Sequence, residues 1–181
     1  MNPSRNLFLI GPMGAGKTSI GRRLANRLEL PFVDLDQAIE TYCGAPIATI
    51  FDLEGEAGFR RRETEALNEC SERAGVVLAT GGGAVLAEAN RRLLSARGYV
   101  LFLDADVERQ LERLARDRAR PLLRATDRRA RLETLAAERG PLYRASADLI
   151  VDSRREGVGA ATARIADLLA QHWRRDVASA A

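Results

Sequence analysis

Lysine is nearly absent from this 181-residue chain: of its 28 basic residues, every one but Lys17 is arginine. Histidine occurs once, as His172, and cysteine twice, as Cys43 and Cys70. Each shortage closes a class of function. A lone histidine near the C-terminus, with no nucleophile beside it, argues against a Ser-His-Asp or Cys-His hydrolase. Two distant cysteines without a C-x-x-C pair build neither a disulfide framework nor a zinc site, which makes a reducing, cytoplasmic location the expectation. Long apolar runs are missing too. Val76–Ala79 and Tyr99–Leu103 are far too short to span a bilayer, and the short apolar run near the N-terminus has no small-residue cleavage site after it.

What remains is an ordinary globular composition, with 46% apolar and 29% charged residues. The length predicts one domain, large enough to bury about 70% of its unfolded surface. The net charge of +3 is unremarkable. The lysine distribution is not. Arginine is a rigid planar fork, whereas lysine is a compact point charge on a flexible stem. In a background that has replaced lysine elsewhere, position 17 needs the second shape.

Strand-like runs alternate with helical stretches along the chain. Strands are expected at Asn6–Ile10, Pro31–Asp34, Val76–Thr80, Tyr99–Leu103 and Asp148–Val151. Helices are expected at Lys17–Leu30, Asp36–Cys43, Pro46–Leu53, Glu56–Arg73, Ala87–Ala96, Val107–Ala115, Asp127–Arg139 and Val158–Trp173. The strands are continuous apolar runs, as burial on both faces requires, so the pattern predicts an α/β domain around a parallel sheet. No repeat or linker divides it. Trp173 reads as a packing residue and the tail after it as a frayed end.

Residues Gly11–Thr18 read GPMGAGKT, a full match to G-x-x-x-x-G-K-[ST], placed after a strand and before a helix. In that context the glycines let successive backbone N–H groups converge on phosphate oxygens, and the helix N-terminus adds partial positive charge. Lys17 is expected to reach the β- and γ-phosphates, and the Thr18 hydroxyl to ligate Mg²⁺. The motif captures the only lysine. It also predicts a nucleoside triphosphate, but not what is done with it. An N-K-x-D guanine motif is impossible with one lysine, and no strand ends in the Asp-Glu pair of a translocating ATPase. A short chain with an arginine-rich loop favours a small-molecule kinase.

Several further stretches have the order and spacing of the shikimate kinase family, which the chain resembles from about Leu7 to Ile165. They are GPMGAGKTS at Gly11–Ser19, DLD at Asp34–Asp36, GEAGFRRRE at Gly55–Glu63, GGG at Gly81–Gly83, RPLL at Arg120–Leu123 and RGPLYR at Arg139–Arg144. The resemblance implies a three-layer P-loop NTPase fold with a five-stranded parallel sheet in the order 2-3-1-4-5. It also implies a substrate-binding helical region over about 34–62 and a mobile lid over about 116–126. ATP and Mg²⁺ would be the cofactors, shikimate the acceptor, and the enzyme a cytoplasmic monomer without a nucleic-acid or membrane partner.

The resemblance also assigns residues. ATP falls to Gly14, Ala15, Gly16, Lys17, Thr18 and Ser19 of the loop, to Arg120 of the lid, and to Arg113 and Arg155 beside the adenine. Mg²⁺ falls to Thr18 and, through water, to Asp34. The acceptor falls to Asp36, Arg60, Gly81, Gly82, Gly83 and Arg139, with Arg60 and Arg139 on its carboxylate. Lys17, Asp36 and Arg120 would carry the catalysis. Taken without the family, several residues have plainer readings. Asp36 could be a helix N-cap, the glycines a simple turn, and at least two of Arg60, Arg61 and Arg62 a solvated face. Glu63 lies one helical turn from Arg60 and could orient it. The basic loop holding Arg116, Arg118, Arg120 and Arg124 lacks aromatic partners for nucleic acid and is interrupted by Asp117. Gluconate or adenylate kinases, and a nucleic-acid-dependent ATPase, are the competing functions.

Overall fold

The computed structural model describes residues 4–115, 127–152 and 156–174. Five strands form one sheet: β1 (Asn6–Ile10), β2 (Phe32–Asp34), β3 (Val77–Ala79), β4 (Gly98–Asp104) and β5 (Leu149–Asp152). Every pairing is parallel, and the order is β2-β3-β1-β4-β5, as expected. The central strand β1 is buried throughout because helices cover both faces. Alternation divides its side chains. Leu7 and Leu9, with Leu101 and Val77, face one layer, formed by α1 (Lys17–Leu28) and α7 (Val158–His172) through Leu24, Ile165 and Leu169. Phe8 and Ile10, with Leu78 and Phe102, face the other layer. There they meet Leu35 and Ile39 of α2 (Leu35–Cys43), Leu67 of α3 (Ile47–Glu72) and Leu94 of α4 (Glu88–Arg97). A third cluster packs Met13 against Leu114 of α5 (Val107–Leu114) and Leu132 and Leu135 of α6 (Arg128–Ser146).

The differences from expectation have local causes. The two helices expected either side of Leu53 form one span, α3, broken at Gly55, whose φ of 68° and ψ of −178° are not helical. Only glycine takes such a backbone cheaply. The helix expected to stop at Arg139 continues through Pro141 to Ser146. Proline removes one rung of the helical ladder, but Leu132, Leu135, Arg139 and Tyr143 keep a buried face across it. A short 3₁₀ turn at Ala84–Leu86, too brief to show periodicity, went unexpected. Trp173 packs as expected, stacked on Tyr99 with ring centroids 5.9 Å apart and its indole N–H donating to the Ser4 carbonyl at 2.8 Å. No described helix is long and apolar enough to cross a membrane.

Candidate active site

The C-terminal ends of β1, β2 and β3 bring the site together, where open α/β sheets place ligands. Gly16, with φ 96°, occupies the N-cap of α1 and offers no side chain to the helix, which leaves the first N–H groups for a ligand. Lys17 folds back over the loop, donating from Nζ to the carbonyls of Gly11 at 2.7 Å and Pro12 at 2.8 Å. Beside it the Thr18 hydroxyl donates to Asp34 Oδ2 at 2.7 Å. The other Asp34 oxygen accepts from the backbone N–H groups of Asp36 and Gln37, so Asp34 is the N-cap of α2. This corrects the plain reading of Asp36 as the cap: Asp36 sits inside the first turn and lines two cavities instead.

Among the described residues, three cavities adjoin one another along this edge, beside a further one of about 460 Å³ that shares Met13 and Arg139 with the third and Asp152 with the first. One of about 320 Å³ is lined by Ile20, Leu103, Val151, Val158 and Ile165. The next, about 290 Å³, is lined by Lys17, Thr18, Asp34, Asp36 and Thr80, and shares Gly16, Ser19 and Arg113 with the first. Arg113 donates to the carbonyls of Gly14 at 2.9 Å and Ala15 at 3.1 Å, which fixes its guanidinium against the loop. The third, about 470 Å³, shares Asp36 and Gly82 with the second, and is lined further by Arg60, Glu63, Gly81, Gly83 and Arg139. Apolar walls meet charges in the outer two; the middle one is mainly polar.

The third cavity is where the charges are buried. Arg60 donates to Glu63 Oε2 at 2.7 Å and to Glu56 at 3.1 Å, and its side chain is only 18% exposed. Its plane lies over the Phe59 ring. Gly83 is close-packed: a Cβ there would lie 2.3 Å from both terminal nitrogens of Arg60. A Cβ on Gly81 would lie 2.7 Å from Glu63 Oε1 and 2.8 Å from Asp36 Oδ1, so the two carboxylates flank that glycine. Arg139 is buried and donates to the Gly82 carbonyl at 3.2 Å. Arg60 Nε, Arg139 Nε and Glu63 Oε1 are buried without a hydrogen-bond partner among the described residues. Buried polar atoms are rarely left so. Burial pushes the Glu63 carboxyl above its usual range, with Arg60 and Arg139 pulling the other way and Asp36 adding to the rise. Burial lowers the Arg60 pKa, but the charge and hydrogen bond of Glu63 outweigh it and leave it raised.

The comparisons with known proteins settle the family. Residues 13–170 match the family model described as Shikimate kinase. A shikimate kinase of Stenotrophomonas maltophilia (strain R551-3) is 55% identical over 97% of both chains. One from Francisella tularensis subsp. holarctica is 55% identical over 83% of this chain and 86% of its own. The chain belongs to the shikimate kinase family. Among solved structures, the shikimate kinase of Acinetobacter baumannii in complex with shikimate has a TM-score of 0.89 at 44% identity, covering 92% of this chain and 93% of its own. The Bacteroides thetaiotaomicron shikimate kinase has a TM-score of 0.83 at 32% identity.

As a shikimate kinase sequence, the chain placed most of its expected site residues in the three cavities. Gly14, Gly16, Lys17, Thr18, Ser19, Asp34 and Arg113 line the second, and Ala15 joins the first. Asp36, Arg60, Gly81, Gly82, Gly83 and Arg139 line the third. Arg120 and Arg155, with the expected lid over 116–126, lie outside the described residues. The triple arginine is resolved by geometry. Arg60 turns into the cavity, Arg61 is exposed, and Arg62 spans the break at Gly55 to pair with Glu54 at 2.5 Å. Arg62 is therefore an ion-pair partner rather than a bare solvated charge. Sequence reasoning passed over Met13 and Thr80, and gave Tyr143 no role of its own. Tyr143 lies one turn after Arg139 on the same helix, a spacing that could have marked it.

Proposed function

We propose that the protein transfers the γ-phosphoryl group of ATP to the 3-hydroxyl of shikimate, giving shikimate 3-phosphate and ADP. The observation that carries the reading is the third cavity. Half-buried Arg60 and buried Arg139, whose Nε atoms have no partner among the described residues, converge on a space that adjoins the phosphate loop and also holds Asp36. Planar forks suit a carboxylate, and a carboxylate side chain suits ring hydroxyls. Shikimate carries both. The relative from Acinetobacter baumannii, solved with shikimate, supports the same acceptor here.

In this reading the first cavity takes the adenine, with Arg113 at its edge, and the second takes the phosphates. The backbone of Gly14–Ser19 and Lys17 hold the β- and γ-phosphates; Lys17 exchanges its two carbonyl partners for phosphate oxygens. Thr18 and Asp34 fit Mg²⁺: the hydroxyl is a hard donor this ion takes alongside phosphate and water, and the Asp34 carboxylate oxygen, 2.7 Å from it, would hold one of those waters. When bound, the ion neutralises phosphate charge. Arg60 and Arg139 clamp the acceptor's carboxylate, and the backbone of Gly81–Gly83 lies along its ring. Asp36 accepts a hydrogen bond from the 3-hydroxyl and aims its oxygen at the γ-phosphorus. The O3–P bond forms as the bond from the γ-phosphorus to the β-phosphate oxygen breaks, ADP leaves, and Asp36 takes the hydroxyl proton. From the sequence, Arg120 adds positive charge at the transferring group and Arg155 contacts adenine. The enzyme so read is a single-domain, cytoplasmic monomer acting on small molecules, with no nucleic-acid or membrane partner.

Asp36→Asn tests the acceptor arrangement. Turnover is expected to fall on the order of 100-fold or more, the usual contribution of a positioned general base, with weaker shikimate binding besides. Near-normal values for both would refute the role.

A further inference from the structure

One wall of the acceptor cavity is the first segment of α3, through Ile47, Ala48 and Phe51. The break at Gly55 separates this segment, residues 47–54, from the helix that carries Arg60 and Glu63. Helical continuity therefore does not fix its position, and side-chain ties must. One tie lies at the break, where Glu54 pairs with Arg62, and Phe51 adds a ring contact with Phe59, centroids 4.6 Å apart. The other end is poorly equipped to start a helix. Pro46, in the N-cap position, offers no side-chain bond to the first N–H groups, and the first turn holds no acidic residue. Glu40 of α2 supplies what is missing: its Oε1 accepts from the Ile47 N–H at 2.9 Å. We propose that Glu40 is a positioning residue for acceptor binding: by capping α3 from α2, it holds the wall of Ile47, Ala48 and Phe51 at the distance from Asp36 that the acceptor ring needs. The inference rests on the function proposed above.

The tie is made through the helix that already carries the hydroxyl-binding carboxylate. Asp36 and Glu40 stand one turn apart on α2, and both line the acceptor cavity. At the start of the same helix, its cap Asp34 accepts from Thr18 of the phosphate loop. The wall is thus placed, through α2, relative to Asp36 and to the loop. A carboxylate at a helix N-terminus also meets the positive end of the helix dipole. Capping, however, works by reach: an oxygen must arrive at one N–H, and a shorter side chain fails whatever its charge. Without the tie the Ile47 N–H turns to water and the segment moves off α2. The acceptor ring then loses apolar contact, while the phosphate loop keeps its own bonds. A glutamate that acted on the acceptor by its charge would depend on charge instead of reach.

Two substitutions separate reach from charge. Glu40→Gln keeps an oxygen at the same reach and removes the charge; Glu40→Asp keeps the charge and draws the oxygen back by one methylene. Initial rates with each substrate varied in turn should show the shikimate KM raised about tenfold in Glu40→Asp and within about twofold of wild type in Glu40→Gln. In both variants kcat and the KM for ATP should stay within about twofold of wild type. Amide exchange at Ile47 should quicken in Glu40→Asp alone. Equal shikimate KM values in the two variants, or an ATP KM raised as much as that for shikimate, would overturn the assignment. A raised shikimate KM in Glu40→Gln would overturn it by itself, even if Glu40→Asp failed to fold. A wild type that fails to phosphorylate shikimate would sink the proposed function and this inference with it. An active wild type with an unchanged Glu40→Asp variant would sink the inference alone.

Discussion

Lys17 is the residue on which the chain's composition and its geometry agree. Its ammonium reaches two loop carbonyls at 2.7 and 2.8 Å, a fit for a compact donor with three rotatable hydrogens. A guanidinium is planar and wider, and cannot take both the resting position and the phosphate position in the same space. Lys17→Arg is therefore expected to fold normally and lose turnover on the order of 100-fold or more, the scale of losing one well-placed charge donor at a transition state. Steady-state rates and thermal unfolding, measured together, check it; near-normal turnover would contradict the account. Gly83 gives the complementary case. An added Cβ would meet Arg60 at 2.3 Å, but the atom met is the end of a flexible side chain. Gly83→Ala should thus cost about 1 kcal/mol or less in stability while raising the shikimate KM on the order of tenfold by turning Arg60 aside. A stability loss without a change in KM would mean that Arg60 does not bind the acceptor.

At the level of elements, what the sequence showed and hid follows from the range of the forces involved. The strands were legible because burial on both faces writes them as apolar runs, and the phosphate loop because its chemistry is local. The break in α3 was legible as the gap between helices expected to end at Leu53 and to begin at Glu56, though Gly55 was not named as its cause. The continuation of α6 through Pro141 was not, since proline's penalty is local and the buried face that overrides it is tertiary. The inward turn of Arg60 was expected from the family resemblance alone, with Glu63 as a residue that could orient it, and the ion pair between them bears out that orientation. The contacts of Gly83 with Arg60 and of Tyr143 with Gly82 join distant parts of the chain, and no spacing records them. Docking of α7 also depends on such a contact, through Trp173, Tyr99 and the Ser4 carbonyl. Trp173→Ala is expected to destabilise the protein by ~3 kcal/mol. Kinetic constants per folded molecule should stay the same, because Trp173 lines none of the three cavities. Denaturant unfolding and active-site titration separate the two effects, and altered KM values would show that α7 shapes the site.

Across the whole molecule, three cavities adjoin one another through shared residues, from the apolar space beside α7, over the phosphate loop, to the charged space beside α3 and α6. Residues shared at each junction give the arrangement its meaning: Gly16, Ser19 and Arg113 at the first, Asp36 and Gly82 at the second. Groups bound in the outer cavities would meet over the middle one, as direct transfer between two substrates demands. The arrangement predicts an acceptor with one carboxylate and neighbouring hydroxyls, and it disfavours an acceptor that brings phosphates of its own. The most direct measurement is ADP release with ATP and Mg²⁺, followed by a coupled assay, against shikimate, gluconate, AMP and single-stranded DNA. The account predicts acceptor-dependent release with shikimate and only background release with the other three. Background release with shikimate, together with stimulation by any of the others, would contradict it.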